Sequence, residues 1–235
     1  MGSEPYDPLE RANLARSIAA EFENRPLMSF SAVSSIVGAG VYAIYYQGGF
    51  KAYGELAARN IERPGSAPIY VGKAIPSGGR KGELTLDSAA GNALSKRLRN
   101  HATSIRQAAV FDRENPPSDG AGLDIADFSI RYLVVADIWI PLGESMLIQE
   151  FKPIWNVLID GFGNNQPGKG REMQVRSLWD TLHPGRTRVK KLPPNPLTRD
   201  QVVTRINDFM NGKSVPSVDE RDSPVEDSSA VDDAG

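Results

Sequence analysis

The chain has 235 residues, 40% hydrophobic and 24% charged, a balance that suits one sizeable globular domain with appendages. It has no cysteine and only two histidines, His101 and His183, which excludes disulfides, cysteine-bound zinc and histidine-rich metal sites. The net charge of −2 is unevenly spread: Ser214 to Gly235 carries −6, which leaves +4 on residues 1–213.

Within that remainder Arg171 to Lys213 holds a local +5, a footprint suited to a polyanion as well as to plain solvation. The acidic, Ser/Pro-containing segment 214–235 reads as a disordered tail. No apolar run is long enough to span a bilayer, and the amino terminus, with Glu4, Asp7 and Glu10, lacks the basic-then-apolar plan of a signal peptide. A cytoplasmic protein is expected.

Leu9, Leu14, Ala15, Ile18, Ala19 and Phe22 recur at helical spacing, so a helix is expected from about Pro8 to Glu23, stopped by Pro26. Ser31 to Val37 suggests a second short helix. Val41 to Tyr46 and Pro68 to Gly72 are short runs rich in β-branched and aromatic residues and bounded by glycine, the pattern of strands. Paired antiparallel, they set Tyr42 and Tyr70 on one sheet surface, because side chains alternate with period two. About twenty residues separate the strands, too many for a tight hairpin, and Leu56, Ala57 and Ala58 suggest a helical turn within them. The loop Pro76 to Gly82 is basic and flexible, but it lacks the spacing of a nucleotide-triphosphate phosphate loop.

Asn92 to Ala109 reads as a helix with Leu94, Leu98, Ala102 and Ile105 as its apolar stripe. Arg97 and His101 lie four apart and therefore on one face. Phe128 to Ile140 alternates and is rich in Ile, Val, Tyr and Trp, giving a third strand. Pro141 to Glu144 then opens a helix. Glu144 in its first turn suits the helix dipole; it also shares a face with Ile148 and Phe151, and a carboxylate beside the core needs a partner such as a metal ion. Asn156 follows Pro153. Gly161 to Arg171 is a basic, glycine-rich loop, Ser177 to Arg186 a short helix ending in a turn, and Thr198 caps a last helix from about Arg199 to Met210.

Gly40-Val41-Tyr42, Tyr70-Val71-Gly72, the helical Arg97, the helix-opening Glu144 and Asn156 stand in the order of a known signature. From Gly38 to Val157 the chain resembles the GIY-YIG nuclease superfamily, with valine for isoleucine in both tripeptides. His101, the long connection between the strands and the segment Gly161 to Lys191 are similar to one branch, the type II restriction endonucleases that cut the palindrome CCGCGG. The resemblance implies an α+β fold with a small three-stranded antiparallel sheet flanked by helices. It divides the chain into a helical leader (1–37), a nuclease core (38–160, with an insertion at 47–67), a basic DNA-recognition extension with the last helix (161–213) and the tail.

The resemblance further implies hydrolysis of phosphodiester bonds in double-stranded DNA with one divalent metal, usually magnesium, per active site. Glu144 would hold the metal, a hard cation that wants oxygen ligands. Arg97 would pair with the phosphate. Tyr42 and Tyr70 would flank the attacking water. A free phenol titrates near ten, so a tyrosine base at neutral pH needs help; His101 would take the proton or polarise Tyr42, and both roles stay open. Asn156 would fix Glu144 or the Tyr70 loop, and Lys73 would touch a phosphate.

Reading of G·C pairs favours arginine or lysine on guanine edges. The candidates are Lys169, Arg171, Arg176, Arg186, Arg188, Lys190 and Lys191, with Lys51 and Arg59 of the insertion, and phosphate contact or plain solvation is the competing role for most of them. A palindrome cut on both strands implies a homodimer, and a companion methyltransferase in the host that is no binding partner. Two alternatives remain: a structure-directed or repair-type nuclease, and a DNA-binding module without activity.

Overall fold

The computed structural model describes residues 10–76, 91–116, 122–163 and 175–215. Helix α1 (Arg11–Glu23) leads into a two-residue strand β1 (Met28–Ser29). The short helix expected over Ser31 to Val37 is a 3-10 turn, Phe30–Ser35, begun by Ser29, whose side chain accepts from the Ser31 N–H. Strand β2 (Gly40–Tyr46), helix α2 (Gly54–Glu62) and strand β3 (Pro68–Ala74) follow, then helix α3 (Ala93–Glu114). Strand β4 (Phe128–Val134), helix α4 (Ile140–Phe151), and the short helices α5 (Ile154–Val157) and α6 (Leu178–Leu182) precede helix α7 (Arg199–Met210).

The fold is α+β with an antiparallel sheet flanked by helices, as expected, but the sheet has four strands rather than three, in the order β1-β4-β2-β3. The extra strand is β1, paired with β4 through Met28↔Ile130 and Ser29↔Ser129. Two residues are too few to show an alternation, so nothing local marked them. The third strand is also shorter than its composition suggests. Its ladder with β2 ends where Gly40 pairs with Val134, so Ile138 and Trp139, β-prone but without a partner, turn into the start of α4. Glu144 is consequently the fifth residue of α4 and lies beyond its first turn.

Alternation along β2 builds two cores. Tyr42, Ile44 and Tyr46 face one way, joined by Tyr70, by Leu98 and Ile105 of α3, and by Trp155 of α5. Val41, Ala43 and Tyr45 face the other way with Val71, covered by Phe22 of α1 and by Ile140 and Leu147 of α4. Burying side chains of this size contributes roughly 1.5–3 kcal/mol each, which is why the sheet needs helices on both faces.

Two further features position the site. Asn60, wholly buried on α2, donates to the Tyr46 and Ala67 carbonyls and accepts from the Ala67 N–H, which ties the long β2–β3 connection back onto the sheet. Leu178, Trp179 and Leu182 of α6, with Val202 and Ile206 of α7, belong to the same core cluster as Tyr42, so the described part of 161–213 completes the core around the first face. The Thr198 cap of α7 is a full capping box with Gln201. Among the described residues no helix is long and apolar enough to cross a membrane.

Candidate active site

In the β2–β3 ladder Tyr42 pairs with Gly72 and Ile44 with Tyr70, so the two tyrosines are diagonal neighbours on one face with ring centroids 6.3 Å apart. The glycine opposite Tyr42 has a steric reason. A Cβ on Gly72 would lie 2.4 Å from the Tyr42 hydroxyl, so any side chain there would displace the phenol. The Tyr-Val-Gly tripeptide thus supplies one phenol and makes room for the other.

Helix α3 lies over this face and presents Arg97 and His101 one turn apart. The Tyr42 hydroxyl and His101 Nε2 are 2.6 Å apart, both groups buried, at 0% and 2% exposure. Burial, then the neighbouring Tyr70, pushes the Tyr42 phenol well above its usual value of ten, and Arg97 only partly offsets this. Burial holds His101 well below its usual 6.5, helped by the charges of Arg97, Arg188 and Arg186. At neutral pH both groups are therefore uncharged: the phenol donates and the imidazole nitrogen accepts. Burial likewise raises Tyr70.

Arg97 hydrogen-bonds both phenols and donates through Nη2 to the Gly163 carbonyl at 2.5 Å. Gly163 is confined as Gly72 is, because a Cβ there would sit 2.2 Å from the Tyr70 hydroxyl. Glu144 approaches from α4, on the opposite face of the sheet, and pairs with Lys73 of β3 at 2.8 Å. Lys73 alternates with Gly72 along β3 and so points to that face, yet the Glu144 charge still reaches both phenols. The site is thus built around the end of β3, with phenols, arginine and histidine on one side and the carboxylate on the other. Lys73, expected to touch phosphate, is engaged with Glu144.

Asn156 contacts neither Glu144 nor a phenol in these hydrogen bonds. Its Oδ1 accepts from the Val71 N–H at 2.8 Å and its Nδ2 donates to the Val71 carbonyl at 2.9 Å. It completes the open edge of β3 as another strand would, and so holds the residue between Tyr70 and Gly72. This makes it a positioning residue.

The basic candidates separate by environment. Lys169 and Arg171 lie outside the described residues. Arg186, expected to contact DNA, is instead 2% exposed: it makes a two-pronged ion pair with Asp180, donates to the Gly161 and Phe162 carbonyls, and stacks over Trp179. An arginine so committed is a staple for the 161–163 loop and not a free cation, because charge read from sequence does not reveal a partner. Arg59 pairs with Glu55 on α2. Lys190 is exposed. Arg188 is half-buried, its ordinary value lowered to about 10 by burial first and then by Arg186.

Sequence reasoning missed Phe162. Its ring stacks on His101 with centroids 4.6 Å apart and planes within 15°, and it also packs on Tyr70, Trp155 and Trp179. The one available signal was an aromatic flanked by two glycines in a loop otherwise polar. Also missed was a second buried tyrosine–histidine pair, Tyr53 and His183 at 2.7 Å, with the Trp155 indole donating to the Tyr53 oxygen. This pair is walled by Phe50, Trp155 and Trp179, away from Glu144, and serves the core.

Among the described residues no group of three or more acids and histidines could hold a metal. Glu144, a partly exposed carboxylate across the sheet from the phenols, has the hard oxygen chemistry that a magnesium-type ion takes, since such ions are commonly bound by one or two carboxylates together with waters and substrate phosphate.

A family model described as the Eco29kI GIY-YIG domain matches residues 34–210, about three quarters of the chain. No curated protein matches the chain.

Proposed function

The chain belongs to the Eco29kI GIY-YIG family of restriction endonucleases, and from that premise we propose a type II enzyme that hydrolyses double-stranded DNA at a GC-rich palindrome, CCGCGG. The observation that carries the reading is the buried Tyr42–His101 hydrogen bond beside Arg97 and within reach of the Glu144 charge. Burial keeps the Tyr42 proton on oxygen at neutral pH, so Tyr42 is not a free phenolate base. It works as a relay instead. As the attacking water gives a proton to the Tyr42 oxygen, the Tyr42 proton passes to His101 Nε2, and imidazole takes up one proton in all.

Arg97 binds the phosphate that is attacked. Its present contact, the Gly163 carbonyl, is one that a phosphate oxygen replaces with a stronger charge-assisted bond. Tyr70, hydrogen-bonded to the same guanidinium, orients Arg97 and the water. Glu144 would hold the divalent metal, which when bound supplies positive charge to the phosphate and to the leaving oxygen. Lys73 then moves from Glu144 to a neighbouring phosphate. Cutting both strands of a palindrome needs two active sites, so the enzyme acts as a homodimer.

Digestion of a long sequenced DNA with magnesium tests the proposal, with EDTA, Glu144→Ala and Tyr42→Phe as controls. Discrete fragments ending at CCGCGG, absent from all three controls, are expected. A smear, or cutting only of branched substrates, would replace the reading with a structure-directed nuclease. Tight binding without cleavage would leave a binding module.

A further inference from the structure

His101 borders a cleft that neither tyrosine lines. The cleft has a volume of about 270 Å³, below the roughly 300–1,000 Å³ usual for drug-sized ligands. Its walls come from one face of α3, which presents Arg97, His101 and Gln107, from Phe162, and from Thr187 and Arg188 of the turn after α6. Gln107 Nε2 reaches Thr187 Oγ1 at 3.4 Å and joins the two walls. The lining is polar and cationic, with amide and hydroxyl groups between two guanidinium groups.

The charge balance of this cleft is unfavourable as it stands. The charges of Arg186 and Arg97 both bear unfavourably on Arg188. Asp180 is the acid that bears on Arg188, and it is already spent on Arg186 and on the Ser177 hydroxyl. Among the described residues no hydrogen bond or ion pair reaches the Arg188 side chain. A half-buried cation left in that condition is costly unless a mobile anion completes it.

We infer that this cleft is a second phosphate seat, in which Arg188, with Thr187 and Gln107, holds a backbone phosphate of the strand whose neighbouring phosphate lies on Arg97. The inference rests on the nuclease reading above. It assigns Arg188 to the backbone and not to base recognition, because a guanidinium that lines a cleft with the phosphate-binding Arg97 and with hydroxyl and amide groups matches a phosphate better than a base edge. Two adjacent seats fix the strand direction across Tyr42 and His101, which one arginine alone leaves free to rotate. The same ligand would quiet the repulsion between Arg97 and Arg188.

Binding of duplex DNA by the intact protein in EDTA, over a salt series, tests the seat. Arg188→Ala is expected to weaken binding roughly tenfold for cognate and unrelated duplexes alike. It should also lower the slope of log affinity against log salt by about 1. Arg188→Gln, which keeps a polar stem without charge, carries the same test should the alanine variant not fold. A scan of single neutral methylphosphonates should find one position that weakens wild-type binding and leaves Arg188→Ala unaffected. An unchanged slope, a loss confined to one sequence, or a scan without such a position overturns the seat while the nuclease reading stands. A wild-type protein that binds no DNA overturns both.

Discussion

Phe162 lies flat against His101, 4.6 Å between ring centroids, and closes the face of the imidazole that the sheet does not cover. Phe162 is itself held by Arg186, which donates to its carbonyl. The orientation of His101 toward Tyr42 therefore depends on a loop sixty residues further along the chain. Phe162→Leu keeps an apolar filler but removes the flat stack. Single-turnover cleavage should slow about tenfold or more, well beyond any loss of DNA affinity in EDTA, since Phe162 is an apolar wall of the Arg188 cleft whereas a misdirected base slows proton transfer itself. Equal losses in both would mean that the stack merely supports the fold.

Tyr42→Phe deletes one oxygen from a filled core and leaves the ring in place. Cleavage should fall by about 10²–10⁴, the usual worth of positioned acid–base catalysis. Stability should fall by about 1–3 kcal/mol, because the buried His101 Nε2 loses its donor, and DNA binding should not change. Tyr53→Phe, made in the other buried tyrosine–histidine pair, should cost about 1–3 kcal/mol of stability by orphaning the Trp155 donor, and leave the cleavage rate of the folded enzyme intact. The pair of variants separates chemistry from packing.

Asp180 and Arg186 form a buried ion pair, so removing either partner strands the other. Arg186→Ala should lose about 3–5 kcal/mol in urea unfolding. The salt slope of DNA binding by the protein that remains folded should match wild type, in contrast to Arg188→Ala. A slope that drops with Arg186 would return this arginine to the DNA surface.

His101 and His183 are both held well below 6.5 by burial, and so stay neutral in the folded state where the unfolded chain protonates. The unfolded state then binds more protons, and stability rises with pH across that interval. It is fully present above about pH 6.5 and is lost as pH falls toward the lowered folded values. Each histidine contributes a slope of up to about 1.4 kcal/mol per pH unit. Urea unfolding at pH 7.5 and 5.5 measures the effect; equal stabilities would contradict it.

Asn156 stands in for a missing strand, with both of its amide groups on Val71. Asn156→Asp keeps the acceptor and loses the donor to the Val71 carbonyl. A cost of about 1–3 kcal/mol is expected, together with slower cleavage as β3 and Tyr70 loosen. Unaltered stability would show that water replaces the amide without penalty.

The features with local signals were legible along the chain before any packing was known. Strand alternation put Tyr42 and Tyr70 on one face, helical spacing put Arg97 beside His101, and Thr198 marked the start of α7. These follow from periods of two and 3.6 residues, which any short window contains.

The other features depend on how distant parts of the chain meet. β1 exists because β4 offers it an edge, and Ile138 and Trp139 leave the sheet because the β2–β4 ladder stops at the Gly40–Val134 pair. Arg186 and Arg188, two residues apart and alike in sequence, part company because Asp180 reaches only one of them with a salt bridge. Phe162 and Glu144 enter the site from a distant loop and from the opposite face of the sheet. The physical reason is common to all of these. A residue's own chemistry sets what it needs, a strand partner, a counter-charge or a stacked ring, but which distant group meets that need is settled only when the chain packs.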